Sequence, residues 1–394
     1  MMNTRFGLVL CAICLAAAIV LAGCKPATPS ATGSAEPGQT TVPSQPASSE
    51  TADSTEPAPS ETPELLGPVE QAYQDKLAAY LEELPYVAAE DMQPASDTEQ
   101  ADLVRQMARL YAGGAESREI FVLYLSGITM LSPDSADLFT TYAISGMRRN
   151  SFEDYTEIEY SYTSDPAFLD RFFTEAEKFE FNWIELNRQS DAISDAKVKA
   201  LVKGAQAQGY YVASSEGMIY YLVDFTRFAE YRMANTQTMA DLIVTQAIDS
   251  LDPMSSDAAF IIDLPTLAAR TYGIGQALED YKGTRYEKYL ASRFRDHLTL
   301  LFFGIDNTPN FDYGTGLMSD DAKAALADAA TLTETLMGQL TSEFLALVEA
   351  NEGKMDDATR EKAWALLDKV DEFYGLTDED KGDYGQWMSG NFEG

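Results

Sequence analysis

The chain has 394 residues, with 63 acidic side chains against 28 basic ones and a formal net charge of -35. A field of that sign repels nucleic acid and anionic lipid headgroups, so the composition disfavours both as partners. Because His297 is the only histidine, metal sites built from two or three imidazoles are excluded as well.

The first 24 residues have the pattern of an export signal. Arg5 precedes a run of apolar or small residues, 8–21, which is shorter than the roughly 20 residues that a membrane-spanning helix needs. The run closes with Leu21-Ala22-Gly23-Cys24. This junction resembles the lipobox of bacterial lipoproteins at every motif position. The alternative is an ordinary secretory signal that contains a cysteine.

The resemblance implies that residues 1–23 are removed and that the thiol of Cys24 carries a diacylglyceryl group, whose two acyl chains suffice for stable anchoring. The implied location is the outer face of the cytoplasmic membrane in a Gram-positive-like cell, or the outer membrane in a Gram-negative one. Lys25 is not the aspartate that signals inner-membrane retention in Gram-negative members. Since Cys11 and Cys14 would leave with the signal, the mature chain would have no free thiol for disulfides, metal binding or catalysis.

Residues 24–64 are predicted to be a disordered tether. The segment contains eight of the sixteen prolines, many Ser, Thr and Ala residues, and no aromatic side chain. Such a composition buries too little apolar surface to offset the entropy of ordering. About forty residues reach roughly 35 Å as a flexible coil and up to about 120 Å when extended, which would carry a folded body clear of the membrane surface.

Residues 65–394 are predicted to form a mainly α, multi-helix globular domain of about a dozen helices. A division into two lobes, 65–209 and 224–394, is one option. Apolar residues recur at helical spacing from residue 69 onwards, and the longest such run extends from 322 to 347. Ser132-Pro133 and Asp165-Pro166 place a cap residue before a proline, as at helix starts.

One small β-hairpin interrupts the helical pattern. Tyr210 to Ala213 and Met218 to Val223 are β-prone, Gly209 ends the preceding helix, and a turn-like segment joins the two strands. Residues 155–162 fit both a strand and a helix face, and we interpret them as helix.

The hairpin is the first candidate ligand site. Glu216 lies at its tip, and Tyr220, Asp224 and Arg227 follow on the way into the next helix. An acid, a phenol and a guanidinium near a turn can bind a polar ligand. The alternative is a structural hairpin in which the turn residues set the geometry and the tyrosines pack.

The loop 304–316 is the second candidate. Asp306, Asn307, Asn310 and Asp312 are hard oxygen donors of the kind that calcium prefers, although the spacing fails the EF-hand pattern. The alternative is turn chemistry, because Asn and Asp also bond their own backbone. Apart from calcium at this loop, the sequence implies no cofactor.

His297 shares a helical stripe with apolar residues, so we expect a packed histidine rather than a catalytic one. Phosphate-binding, zinc-protease and serine-hydrolase motifs are all missing from the sequence, which leans against an enzyme.

The sequence favours a lipid-anchored extracytoplasmic protein whose helical domain binds or scaffolds an envelope protein, a cell-wall glycan or a peptide. One alternative is a hydrolase that uses two carboxylates on a cell-wall polymer. Another is the solute-binding lipoprotein of a transporter, although many of those are two-lobed α/β proteins, whereas this chain has few predicted strands.

Overall fold

The computed structural model describes residues 66–163, 165–215, 217–256, 258–284 and 286–377. The predicted signal, its lipobox and nearly all of the tether lie outside these residues, as does Glu216 at the tip of the hairpin.

Helices dominate the described part of the chain, which confirms a mainly α, multi-helix domain with a small β-hairpin. The fourteen helices are α1 (Pro68–Glu83), α2 (Asp97–Ala112), α3 (Ser117–Gly127), α4 (Pro133–Thr163), α5 (Ala167–Glu177), α6 (Trp183–Arg188), α7 (Ala196–Gln206), α8 (Phe225–Ala229), α9 (Gln237–Leu251), α10 (Leu264–Asp280), α11 (Glu287–Phe303), α12 (Asp320–Ala330), α13 (Leu336–Ala350) and α14 (Asp357–Tyr374).

Three antiparallel hairpins accompany the α-helices. Their strands are β1 (Tyr210–Ser215) with β2 (Met218–Val223), β3 (Ser255–Ser256) with β4 (Ala259–Phe260), and β5 (Gly304–Ile305) with β6 (Thr308–Pro309). The first is the predicted hairpin, and Gly209 stands directly before it with a φ of 81°. Only glycine adopts this left-handed conformation without strain, so the helix α7 can end and reverse there.

Proline residues mark the starts of two helices. The helix α4 begins at Pro133, directly after Ser132, and α5 begins one residue after Pro166. Proline is favoured at the first helical position, as at Pro133, because its missing N–H would have no partner in the first turn. Pro166 is instead the N-cap of α5, so this helix starts one residue later than the Asp165-Pro166 pattern predicts. Residues 155–162 lie inside α4, so the helical interpretation of that ambiguous segment is correct.

The predicted helical run 322–347 is not one helix, which corrects that reading of the periodicity. It is split into α12 and α13 by a turn at residues 331–335. A Cβ on Gly338 would lie 2.0 Å from the carbonyl oxygen of Leu332, so only glycine permits this close reversal. Thr335 then caps α13 by accepting a hydrogen bond from the Gly338 N–H at 3.1 Å.

Helix packing brings distant parts of the sequence together. The long helix α4 packs against α2, α3 and the β1–β2 hairpin, while α10 packs against α11 and α12. The first helix, α1, packs on α10 rather than on its sequence neighbour α2, with Val69, Tyr73 and Leu77 buried. The described residues from Gly67 to Thr377 belong to one compact unit.

The helix α9 is the most deeply buried element, since every residue from Met239 to Ser250 is buried. A helix that is surrounded on all sides has no solvent-facing stripe, so its polar side chains need partners from neighbouring helices. His297 on α11 is fully buried as well, which confirms the expectation of a packed histidine.

No helix in the described ranges is both long enough and apolar enough to span a bilayer.

Candidate functional site

The β1–β2 hairpin is built into the core by its aromatic residues. The ring of Tyr210 stacks on that of Tyr221 at 5.5 Å, and its hydroxyl donates a hydrogen bond to the Met147 carbonyl of α4 at 2.5 Å. The side chain of Asn187 bonds both the N–H and the carbonyl of Val212. These contacts give the hairpin a packing role, which is the structural alternative that its tyrosine-rich sequence offers.

The predicted hairpin residues occupy separate positions in the structure. Tyr220 is half-buried on β2 opposite Ala213, whereas Asp224 is the N-cap of α8. The Asp224 carboxylate accepts hydrogen bonds from the N–H and the hydroxyl of Thr226, at 3.1 and 2.5 Å. Burial raises the pKa of Asp224, and the hydrogen bonds from Thr226 oppose this shift only in part.

The side chain of Arg227 also contacts other parts of the folded chain. Its guanidinium lies 5.3 Å from the ring centroid of Phe121 and 3.9 Å from the carboxylate of Glu230. Both Asp224 and Arg227 therefore have structural partners, and a ligand role for the hairpin stays a prediction.

The four oxygen donors of the 304–316 loop do not converge on one point in the structure. The buried Asn310 donates its amide N–H to the Leu301 carbonyl at 2.8 Å, which ties the loop to the end of α11. Asp306 and Asn307 are exposed. The Asp306 carbonyl accepts a 2.7 Å hydrogen bond from the hydroxyl of Tyr313.

Asp312 closes a tight turn in the same loop. One of its carboxylate oxygens accepts from the Thr315 hydroxyl, the Thr315 N–H and the Gly314 N–H, at 2.8, 2.7 and 3.1 Å. These donors hold the pKa of Asp312 below its ordinary value, with the hydroxyl contributing most. The geometry is the turn chemistry that the sequence offered as the alternative to calcium binding.

Within the described residues, no group of three or more His, Cys, Asp or Glu side chains is arranged to hold a metal ion. The calcium hypothesis stays a prediction.

The 304–316 loop belongs to a larger surface, which we call the loop end and define as residues 258–263, 304–319 and 351–356. The Asn307 N–H donates to the Ala258 carbonyl at 2.8 Å, and the Phe260 N–H donates to the Thr308 hydroxyl at 2.9 Å. A second pair of backbone hydrogen bonds, both of 2.9 Å, joins 304–319 to 351–356. Hydrogen bonds thus join three of the connections, those between α9 and α10, between α11 and α12, and between α13 and α14, into one surface.

Large apolar side chains project from the loop end into solvent. Ile261 is 58% exposed, Tyr313 is 78% exposed and Leu317 is 43% exposed. Isolated exposed apolar residues are common, but here each stands on a loop that is hydrogen-bonded to another loop of the set. Ile261 and Leu317 carried no signal in the sequence, because an apolar residue in a loop gives no periodic pattern.

The backbone of the loop end is strained. Ala258 and Glu352 have φ values of 56°, in the left-handed region that disfavours residues with a Cβ. Strained residues persist only where their surroundings hold them, and they concentrate at functional surfaces. The loop end is therefore our candidate binding surface.

A buried ionic cluster is the main polar feature that no sequence pattern indicates. Arg270 of α10 lies 3.4 Å from the carboxylate of Asp249 and 2.6 Å from that of Asp252, both at the end of α9. Its guanidinium also donates to the hydroxyl of Tyr80 on α1 at 2.9 Å, and Tyr80 donates to Asp252 at 2.5 Å. One cation thus connects three helices.

The ionic cluster has unusual electrostatics. Burial raises the pKa of Asp249 well above its ordinary value, although Arg270 and Arg293 oppose the shift, and burial raises the pKa of Tyr80 to about 12. One carboxylate oxygen of Asp249 has no hydrogen-bond partner within the described residues. Perturbed carboxylates of this kind are also found at active sites, so the surrounding space decides their role.

The space beside the cluster is small. A cavity of about 10 Å³ lies next to Tyr80 and Arg270, with Tyr73, Leu77 and Ile248 among its other walls. This volume holds about one water molecule and no sugar ring. The two aspartates are also bridged by a guanidinium, rather than facing each other across a cleft as glycosidase carboxylates do. The cluster is therefore best understood as a cross-link of the core.

Comparison of the chain with models of known protein families, with curated proteins and with solved structures gives no match.

Proposed function

We propose that this protein is a lipid-anchored extracytoplasmic protein of a bacterial envelope whose helical body binds another envelope protein through the loop end. The observation that carries this proposal is the set of three cross-bonded loops with Ile261, Tyr313 and Leu317 exposed. Two of these side chains are aliphatic, which suits a protein or peptide partner better than a glycan, because sugars stack mainly on aromatic rings.

Two features outside the loop end support the same role. The lipobox-like junction at Cys24 and the proline-rich segment after it would place the body at the end of a membrane-attached tether. The net charge of -35 favours partners with basic surfaces and disfavours nucleic acid. A glycan remains the second ligand class, since Tyr313 offers one aromatic face.

The proposal is tested with the full-length protein in membranes of a cell that expresses it. Amine-reactive cross-linking is followed by mass spectrometry on the parent chain and on a variant with Ile261→Ser, Tyr313→Ser and Leu317→Ser. We expect one or more envelope proteins to cross-link to the parent and to be reduced at least tenfold in the variant.

The control variant carries Val122→Ser and Met233→Ser, at exposed apolar positions outside the loop end. It should retain the cross-links of the parent. Equal cross-linking in all three proteins, or none in any of them, would count against the loop end as the binding surface. Binding of the parent and control, but not the triple variant, to purified cell wall would assign the surface to a glycan instead.

A further inference from the structure

The loop end carries more negative than positive charge. Its ionisable side chains are five acids and one base, all of them exposed, namely Asp263, Asp306, Asp312, Glu352 and Asp356, with Lys354. Within the described residues, only one of the five acids forms a salt bridge, that of Glu352 with Lys354 at 3.6 Å. Four carboxylates of this surface are therefore not neutralised by a salt bridge.

These acids lie beside the exposed apolar side chains. Tyr313 follows Asp312 directly, and its hydroxyl donates a hydrogen bond to the backbone carbonyl of Asp306 at 2.7 Å. Ile261 stands two residues before Asp263 on the neighbouring connection. Apolar and acidic groups are thus mixed on one surface, and a partner that covers the first also meets the second.

The helix ends that meet at the loop end do not cancel this charge. The helices α9, α11 and α13 end there, and α10, α12 and α14 begin there. A helix carries a partial negative charge at its C-terminus and a partial positive charge at its N-terminus, so the three ends of each kind offset one another. The first turn of α12 adds two further exposed carboxylates, those of Asp320 and Asp321.

The carboxylates of the loop end stay ionised at neutral pH. Hydrogen bonds from the hydroxyl and the N–H of Thr315 hold the pKa of Asp312 below its ordinary value. The N–H of Thr359 contributes most to the same effect on the pKa of Asp356. Because these donors are neutral, they stabilise each carboxylate without cancelling its charge.

The charge of the loop end narrows the class of occupant. A second copy of this chain would bring the same acids to the interface, so like-charge repulsion disfavours self-association through this surface. A neutral glycan would gain no ion pair with the four carboxylates. A protein segment that carries both cations and apolar side chains complements both features of the surface.

We propose that the loop end binds a segment of its partner in which lysine or arginine side chains flank apolar ones. The inference rests on the proposed function, since it names the chemistry of the partner at the same surface. The apolar side chains of the segment cover Ile261, Tyr313 and Leu317, and its cations lie against Asp306 and the first turn of α12.

The test is amine-reactive cross-linking of the full-length protein in membranes of a cell that expresses it, because removing carboxylates leaves the reacting amines unchanged. The charge variant carries Asp306→Asn, Asp320→Asn and Asp321→Asn. Asparagine has the shape of aspartate without its charge, and Ser319 still caps α12. We expect the cross-links of the parent to fall by about fivefold or more in the charge variant.

Salt gives a second measurement on the parent protein. Exposed charges are screened at high ionic strength, so the cross-links of the parent should also fall by about fivefold or more between about 50 and about 500 mM salt. Cross-linking of the parent that does not respond to salt would overturn the inference.

The control variant carries Glu82→Gln, Glu83→Gln and Asp328→Asn, at exposed positions outside the loop end. It loses the same number of charges as the charge variant and should keep the cross-links of the parent. Equal cross-linking in the charge variant and this control would overturn the inference, since the position of the acids would then be irrelevant.

The apolar variant Ile261→Ser, Tyr313→Ser and Leu317→Ser distinguishes this inference from the proposed function. If the apolar variant loses the cross-links and the charge variant keeps them, the partner is held by apolar contacts alone. The proposed function then stands, and the inference of a basic partner segment is wrong. If both variants cross-link like the parent, the loop end is not the binding surface and the two proposals fail together.

Discussion

Asp241 is an acid in the interior of α9, where it is 4% exposed. Its carboxylate accepts hydrogen bonds from the hydroxyl of Tyr281 and from the side-chain amide of Gln237. Burial raises the pKa of Asp241 from 3.8 to about 6, and these two hydrogen bonds oppose the shift only in part. The folded protein therefore holds this proton more tightly than the unfolded chain does.

The sign of the pH dependence follows from this difference. Between about pH 4 and pH 6 the folded state binds the proton and the unfolded state does not, so the free energy of unfolding contributed by Asp241 falls as the pH rises. Above about pH 6 the contribution of Asp241 to the free energy of unfolding no longer changes with pH. Asp241→Asn removes the titration and preserves an acceptor for Tyr281.

We expect the free energy of unfolding of Asp241→Asn, relative to the parent, to increase by about 1 to 3 kcal/mol between pH 4 and pH 7. Urea titrations at unit pH intervals measure this difference. Asp328→Asn, at an exposed position on α12, is the matched control. An equal pH-dependent shift in the two variants would contradict the assignment to burial.

Arg270 is the residue on which the buried ionic cluster depends. Its side chain is 3% exposed, and that of its partner Asp249 is 7% exposed. Arg270→Met leaves Asp249 buried without its ion pair, which should lower the free energy of unfolding by about 3 to 5 kcal/mol. Denaturant titration at pH 7 measures the loss.

A double variant distinguishes the loss of the ion pair with Asp249 from the loss of packing by the Arg270 side chain. Arg270→Met with Asp249→Leu removes the charges of these two residues and fills the space with apolar atoms. The remaining carboxylate, that of Asp252, is 41% exposed and stays in contact with solvent, so most of the lost stability should return. If the double variant is as unstable as Arg270→Met alone, the ion pair is not the reason for the loss.

The turn that opens the 304–316 loop depends on one glycine. Gly304 has a φ of 78°, and a Cβ there would lie 2.5 Å from the Thr308 carbonyl oxygen and 2.6 Å from the Asn310 nitrogen. Gly304→Ala should therefore lower the free energy of unfolding by about 2 to 4 kcal/mol, through strain and through loss of the short β5–β6 hairpin. Thermal and urea unfolding measure the effect.

Gly314 is the matched control in the same loop. A Cβ at Gly314 meets only the Asp312 side chain, at 3.4 Å, so Gly314→Ala should change the free energy of unfolding by less than about 0.5 kcal/mol. Should the two variants be equally stable, the left-handed turn at Gly304 is not what holds the loop end together.

At the scale of the whole molecule, the predicted lipid anchor at Cys24 would decide where the protein acts. Cys24→Ser removes the only thiol that could carry lipid in the mature chain, so we expect the variant to leave the membrane fraction or to retain residues 1–23. Fractionation and intact-mass measurement distinguish the two results. A variant that fractionates and weighs like the parent, apart from the one-atom substitution, would rule out lipidation at Cys24.

Local patterns were enough for much of the architecture. The proline-started helix α4, the β1–β2 hairpin with Gly209 before it, and the buried position of His297 all follow from short-range rules of capping, alternation and periodicity. The 304–316 loop also follows from its turn-forming residues, but the sequence does not show which contacts its oxygen donors make. Turn and ligand chemistry use the same residue types, so the sequence left both open.

The sequence by itself determined the helical class, the hairpin and the acidic character, because each depends on residues close together in the chain or on composition alone. The tertiary structure decided the packing of α1 on α10, the Tyr80–Arg270 contact across 190 positions, and the division of α12 from α13. It also decided that loops carrying Ile261, Tyr313 and Leu317 belong to one surface. These features arise from contacts between distant segments, and periodicity carries no information about which segments meet.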